Sequence, residues 1–183
     1  MCPQRQYTHG AIWTIIANCI LDKNEIATEY FRMLNPIEHA RTKEDALKYK
    51  AEPYVVVADI YSHPNLIGRG GWTWYTGSAS WYYVAGIKYI LGINKTKEYL
   101  EINPKFPKIW SNCQVKYKIE DTMYVININI EKNEGNLEIK EKQSQDIQNN
   151  NMVIFVDNEK QNCNKIKIIK DGKNHIVEVR IIC

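Results

Sequence analysis

Hydrophobic periodicity changes once along this chain, near Asn94, and the change limits the folds open to it. Before Asn94 apolar residues recur at helical spacing. Ile12, Ile15, Ile16, Cys19 and Ile20 make one stripe, and Ile26, Tyr30, Met33 and Leu34 make a second that stops at Asn35-Pro36. Together they predict an αα-hairpin. Beyond Asn94, Val115, Tyr117 and Ile119 alternate with lysines, and Tyr124, Ile126, Ile128 and Ile130 alternate with Val125, Asn127 and Asn129. This period of two marks half-buried strands of an antiparallel sheet. Leu137 with Ile139, Val153 with Phe155, Ile166 with Ile168, and Ile176 to Val179 extend the pattern, with Asp171-Gly172 as a hairpin signal and Gln143 to Asn151 as an exposed loop. The expectation is an α+β chain: residues 1–94 forming an arc of helices, residues 95–183 a small antiparallel β-sandwich.

Between the helical stripes and the strands lies Gly68-Arg69-Gly70-Gly71-Trp72-Thr73-Trp74-Tyr75-Thr76-Gly77-Ser78-Ala79-Ser80-Trp81. Glycines allow tight turns and close approach to a ligand, and Trp and Tyr offer flat faces with a polar edge, as a sugar ring requires. Ala79 to Leu91 then has helical spacing and closes at Gly92, so Thr76 to Ser78 fall at a helix start, where unpaired N–H groups can hold an anion. The same residues also suit a helix cap beside an apolar wedge. Upstream, Thr42 and Asp45 resemble a loose capping box. In Val55 to Tyr61 the β-branched residues favour a strand, whereas Pro53 favours a helix start.

Composition excludes several function classes. A net charge of +3 with no tight basic and aromatic cluster gives no case for nucleic acid. Five scattered cysteines, Cys2, Cys19, Cys113, Cys163 and Cys183, make neither a disulfide framework nor a zinc site, and fit a reducing compartment. With no signal-peptide core and no apolar run of bilayer length, the expectation is a cytoplasmic protein without a membrane partner. There is no phosphate loop ending in GK[ST] and no G-x-S-x-G elbow. His9, at the entrance of the first helix, can serve as an anion ligand or as a structural residue. Arg69 can hold an anion or pin its loop to a carboxylate, and Glu52 and Asp59 can act as an acid/base pair or as solvated groups.

Several segments carry a resemblance in order along the chain: Gln6-Tyr7-Thr8-His9; Leu34-Asn35-Pro36-Ile37 with His39-Ala40-Arg41-Thr42; Tyr49 to Val56; and above all Gly68 to Ala79. They resemble the C-terminal part of glycoside hydrolase family 94, which contains cellobiose and chitobiose phosphorylases, β-1,2-oligoglucan phosphorylases and cyclic β-1,2-glucan synthases. The match runs from Gln6 to about Trp110 and is most similar to the β-1,2-glucan branch. It implies the last helices of an (α/α)6 barrel followed by a small β-domain. It also implies inverting phosphorolysis of a β-glucosidic bond, with inorganic phosphate as co-substrate, no other cofactor, and a β-glucan oligosaccharide or α-glucose 1-phosphate as partner. By resemblance His9, Thr76 and Gly77 bind phosphate, and Gln6, Trp72, Trp74 and Tyr75 bind or shape the sugar site. The family's general-acid Asp and phosphate-site Arg have no counterpart here, and Cys2-Pro3-Gln4-Arg5 replaces the usual approach to the first motif. The resemblance therefore implies a C-terminal fragment, inactive alone, that works with an upstream-encoded barrel portion. The alternative is a non-catalytic carbohydrate-binding or interaction module.

Overall fold

A computed structural model describes residues 5–74, 77–131 and 152–182. The chain divides into two compact units, Met1–Asn94 with Asn103–Pro107, and Lys95–Ile102 with Lys108–Cys183.

In the first unit a short strand, β1 (Arg5–Tyr7), leads into α1 (Thr8–Ile20), and α2 (Asn24–Met33) returns beside it. Ile12, Ile15 and Cys19 of the expected stripe are buried on the inner face of α1, whereas Ile16 is half-buried and Ile20 is exposed. Burial pushes the Cys19 thiol up to about 11, which makes it an inert core residue rather than a nucleophile. The second helix departs from the sequence reading. Its inward residues are Ala27 and, just past its end, Leu34, whereas Ile26, Tyr30 and Met33 stay exposed. Phe31 decides the rotation of α2: its ring stacks flat on Tyr82 at 4.1 Å, and the Tyr82 hydroxyl donates to the Phe31 carbonyl at 2.9 Å.

Helix α3 (Lys43–Tyr49) opens on Thr42, whose Oγ1 accepts from the Asp45 N–H at 3.1 Å. The Asp45 carboxylate reaches back to the Thr42 hydroxyl rather than to its N–H, so half of the capping box forms. Val55 to Ala58 is neither helix nor strand. The chain becomes β2 at Asp59–Tyr61, which pairs antiparallel with β1 on one side and with β3 (Gly70–Gly71) on the other. Gly71 leaves room there for its neighbours: a Cβ would meet Asp59 Oδ1 and the Tyr61 ring, and both side chains would have to move to admit it. Helix α4 (Ser78–Val84) continues into a π-helical segment, Ala85–Ile90, and ends before Gly92 at φ 67°.

β4 (Ile93–Lys95) carries the chain out of the helices. In the second unit β5 (Tyr99–Ile102) pairs antiparallel with β10 (Lys165–Lys167). A five-stranded sheet has the order β6 (Asn112–Ile119), β7 (Thr122–Glu131), β11 (Asn174–Ile182), β8 (Met152–Val156), β9 (Glu159–Lys160). Tyr124, Ile126, Ile128, Val177 and Val179 are fully buried on one face, while Lys116, Lys118, Gln114 and Glu178 fall on the other. The alternation thus predicted the inward side of β6 and β7, but not of β8, where Ile154 is buried opposite Val179 and the expected Val153 and Phe155 lie on the other face. It did not predict every pairing. β6/β7 and β8/β11 are antiparallel, but β7 and β11 run parallel, because β8, β9 and β10 intervene before β11 enters the middle of the sheet. Asp171-Gly172 consequently joins strands of two different sheets and closes no hairpin. Its two N–H groups donate to Thr122 Oγ1 at 3.0 and 2.9 Å. The strand expected at Leu137 and Ile139 and the loop expected at Gln143 to Asn151 lie outside the described residues.

Candidate functional site

β1 delivers the chain directly into α1, with the Thr8 N–H donating to the Ala58 carbonyl at 2.9 Å, and this junction fixes His9 in the first turn. The His9 ring stacks on Tyr7, with centroids 5.2 Å apart, and meets Trp13 edge-on at 6.4 Å. Trp13 in turn meets Trp81 of α4 at 6.2 Å and 83°. The aromatic series holds His9 toward the start of α4. A Cβ placed on Gly77 would lie 3.4 Å from His9 Nε2, so the imidazole reaches the backbone immediately before Ser78. His9 Nδ1 is buried and has no hydrogen-bond partner among the described residues, nor has the Oγ1 of Thr8, a residue 2% exposed. Buried polar atoms are seldom left this way without a functional or solvent-related reason.

Sequence reasoning put His9 and Gly77 in one site, and the structure brings them together across about 70 residues of chain. Thr76 and Tyr75, placed in the same site, lie outside the described residues. Gln6 is elsewhere: it lines an apolar cavity of about 370 Å³ with Ala11, Thr14, Tyr30, Met33, Leu34, His39 and Ile60, to which neither His9 nor Gly77 contributes. Adjacent strand residues point to opposite faces, so the face that gives Tyr7 to His9 sends Gln6 away.

Trp72 and Trp74 are not core wedges. They are 69% and 66% exposed, and both hold left-handed backbone, with φ 53° and 68°. The Trp74 indole N–H donates to Glu52 Oε1 at 3.1 Å, and its ring meets Tyr54 at 6.3 Å and 62°. Ser78, the first residue of α4, is fully buried, and its hydroxyl donates to the Val57 carbonyl at 3.4 Å instead of capping the helix.

Arg69 makes no ion pair among the described residues, so neither sequence reading of it gains a partner. Glu52 and Asp59 do not form a pair. Glu52 holds Trp74, while Asp59 Oδ2 accepts from Arg5 Nη1 at 3.2 Å and the Arg5 guanidinium covers the Tyr61 ring at 4.4 Å. His39 is engaged by the Met33 carbonyl at 2.7 Å, and His63 Nδ1 accepts from the Asn65 N–H. Among the described residues no group of three or more His, Cys, Asp or Glu side chains converges on a metal position, and no helix is long and apolar enough to cross a membrane.

Sequence reasoning missed the ring series around His9. The available signal was the four-residue spacing of His9 and Trp13 on one helix face. It also missed His175, whose Nδ1 lies 2.6 Å from Asp157 Oδ2 and whose Nε2 lies 3.2 Å from Asp171 Oδ1, with the Tyr124 ring stacked alongside. The bond to Asp157 leads in holding this imidazole above its ordinary pKa.

Residues 4–92, which carry both His9 and Gly77, match the family model for the Glycosyl hydrolase 94 superfamily, catalytic domain. That segment belongs to glycoside hydrolase family 94. The chain is 45% identical over 130 residues to the cyclic beta-(1,2)-glucan synthase NdvB of Rhizobium meliloti (strain 1021), covering 71% of this chain and 5% of that protein. It is 28% identical over 123 residues to an N,N'-diacetylchitobiose phosphorylase of Vibrio furnissii, covering 67% of this chain and 15% of the relative. Against a solabiose phosphorylase of Paenibacillus borealis it is 27% identical over 129 residues, with 67% and 16% covered. The chain thus spans a sixth or less of the length of these relatives.

Proposed function

We propose that this chain supplies one wall of the phosphate site in a family 94 protein that makes or phosphorolyses β-glucan, working with a barrel portion encoded upstream. The observation that carries the proposal is His9 set against the Gly77 backbone, with Nδ1 buried and unpartnered. His9 binds phosphate through a charge-assisted hydrogen bond, with the Gly77 backbone beside it, and the family resemblance adds Thr76 to the same site.

In the reaction, a phosphate oxygen attacks the anomeric carbon from the face opposite the departing sugar. The glycosidic C–O bond breaks, and the leaving oxygen takes a proton from a carboxylic acid, giving α-glucose 1-phosphate. The residues present hold and orient the nucleophile, and the carboxylic acid comes from the upstream portion. Residues 1–94 are the end of the helical barrel and residues 95–183 its β-domain. The exposed Trp13, Ile20, Leu21, Ile26 and Met33 support a partner on the helical part. Inorganic phosphate is the co-substrate and the setting is cytoplasmic, in keeping with three described cysteines that form no disulfide.

The test is phosphate release from α-glucose 1-phosphate with sophorose as acceptor, by the chain alone and with its upstream-encoded partner. Activity is expected with the partner only, and His9→Ala is expected to lower it by about a hundredfold or more, the scale of losing a charge-assisted contact to the nucleophile. Undiminished activity in His9→Ala would remove the phosphate role. A second reading, a non-catalytic carbohydrate-binding module, is favoured by the exposed Trp72 and Trp74. It predicts glucan binding with no turnover in either mixture.

A further inference from the structure

Glu52 takes no part in the phosphate corner, yet it fixes the one polar atom of the Trp74 indole. The indole is thereby locked in rotation, and Tyr54 stands against it at 62°, so the two rings form an angled wall. Both rings remain largely in solvent, Tyr54 at 73% and Trp74 at 66% exposure. Trp74 also holds left-handed backbone, a conformation that side chains with a Cβ rarely adopt. Core burial normally offsets such strain, and an exposed ring receives none. Strained backbone that presents a fixed, uncovered side chain is characteristic of ligand-holding positions.

We propose that Trp74 and Tyr54, with Glu52 as a positioning residue, form a subsite that binds a glucosyl ring of a β-glucan acceptor. This rests on the carbohydrate reading of the chain given above. A glucosyl ring has apolar C–H faces and a rim of hydroxyl groups, and the wall matches both. The indole and phenol faces receive the C–H surface, while Glu52 Oε2 and the hydroxyl of the exposed Tyr54 receive the rim. A carboxylate at the rim disfavours a lipid surface. Trp74 precedes Gly77 by three residues, which places its Cα within about 11 Å of the Gly77 Cα. The wall therefore stands close enough to the phosphate corner to hold a ring of the same bound glucan.

The test is calorimetric titration of the full chain with sophorose and with a longer β-1,2-linked gluco-oligosaccharide, alongside a separate titration with inorganic phosphate. Trp74→Ala and Tyr54→Ala are each expected to weaken oligosaccharide binding about tenfold, with circular dichroism and phosphate binding unchanged. Glu52→Ala is expected to weaken it similarly, whereas Glu52→Gln, which retains an oxygen acceptor for the indole N–H, is expected to restore most of it. That rescue separates positioning from a charge effect. Wild-type affinity in both ring variants, or no oligosaccharide binding by the wild-type chain, overturns the subsite. Loss of phosphate binding in His9→Ala reports on the phosphate corner independently, so the two proposals fail separately.

Discussion

His175 is 7% exposed, and both of its ring nitrogens face carboxylates, Asp157 through Nδ1 and Asp171 through Nε2. Two carboxylate neighbours call for two N–H donors, which only the imidazolium has. Asp157 and Asp171 join the turn after β8 to the turn before β11, with the Tyr124 ring alongside and Lys173 Nζ 3.9 Å from Asp171. The His175 pKa is raised, chiefly by the bond to Asp157. The Asp157 pKa is lowered chiefly by His175, and that of Asp171 chiefly by the Lys173 N–H. A raised folded pKa means that the His175 contribution is fully present below its unfolded value of about 6.5 and fades as pH rises through the folded value. Lowered carboxylate pKa values mean that the aspartate contributions are present above about 3.9 and fade as pH falls through their folded values. The clamp is therefore strongest between these limits. Thermal unfolding from pH 5 to 9 is expected to show stability falling on the alkaline side, and His175→Gln is expected to flatten that slope. An identical slope in the variant would show that His175 is not its source.

At the scale of elements, helix ends and the faces of β6 and β7 were legible in the sequence, whereas the face of β8 and the strand partners were not. Ile12, Ile15 and Cys19 follow from a single period, and a period of two fixes which of Tyr124 and Val125 turns inward. Neither period specifies that β11 inserts between β7 and β8, because that depends on crossovers of many residues. The same distinction applies to the site. The closeness of His9 and Gly77 was legible because the family resemblance implied one site for both, whereas the brace of Glu52 on Trp74 spans 22 residues and no local signal encodes it. Gly92 tests a legible helix stop. Its left-handed φ suits the end of the α4 segment, and a Cβ there would lie 1.9 Å from the Asn103 carbonyl oxygen, which is backbone and cannot step aside. Gly92→Ala is expected to cost about 3 kcal/mol or more, combining left-handed strain with overlap, as read by urea denaturation. A change below about 1 kcal/mol would mean that the loop at Asn103 yields freely.

For the whole molecule, the division into two units sets the expectation for unfolding. Each unit has its own buried set, Ile12, Ile15 and Ala85 in one and Ile126, Ile128 and Val179 in the other. Calorimetry is expected to resolve two transitions, with Gly92→Ala moving one and His175→Gln the other. A single transition shifted equally by both substitutions would show one cooperative unit. The parallel pairing of β7 with β11 bears on how the second unit is born. β11 is the last described strand in chain order, yet it pairs with β7 on one flank and β8 on the other, with β6 beyond β7 and β9 beyond β8. During synthesis those two hairpins emerge first, each with an unpaired edge, and wait for the strand that unites them. Cells producing this chain must shield those edges during that interval, so its yield should depend on chaperone supply and translation speed more than on final stability.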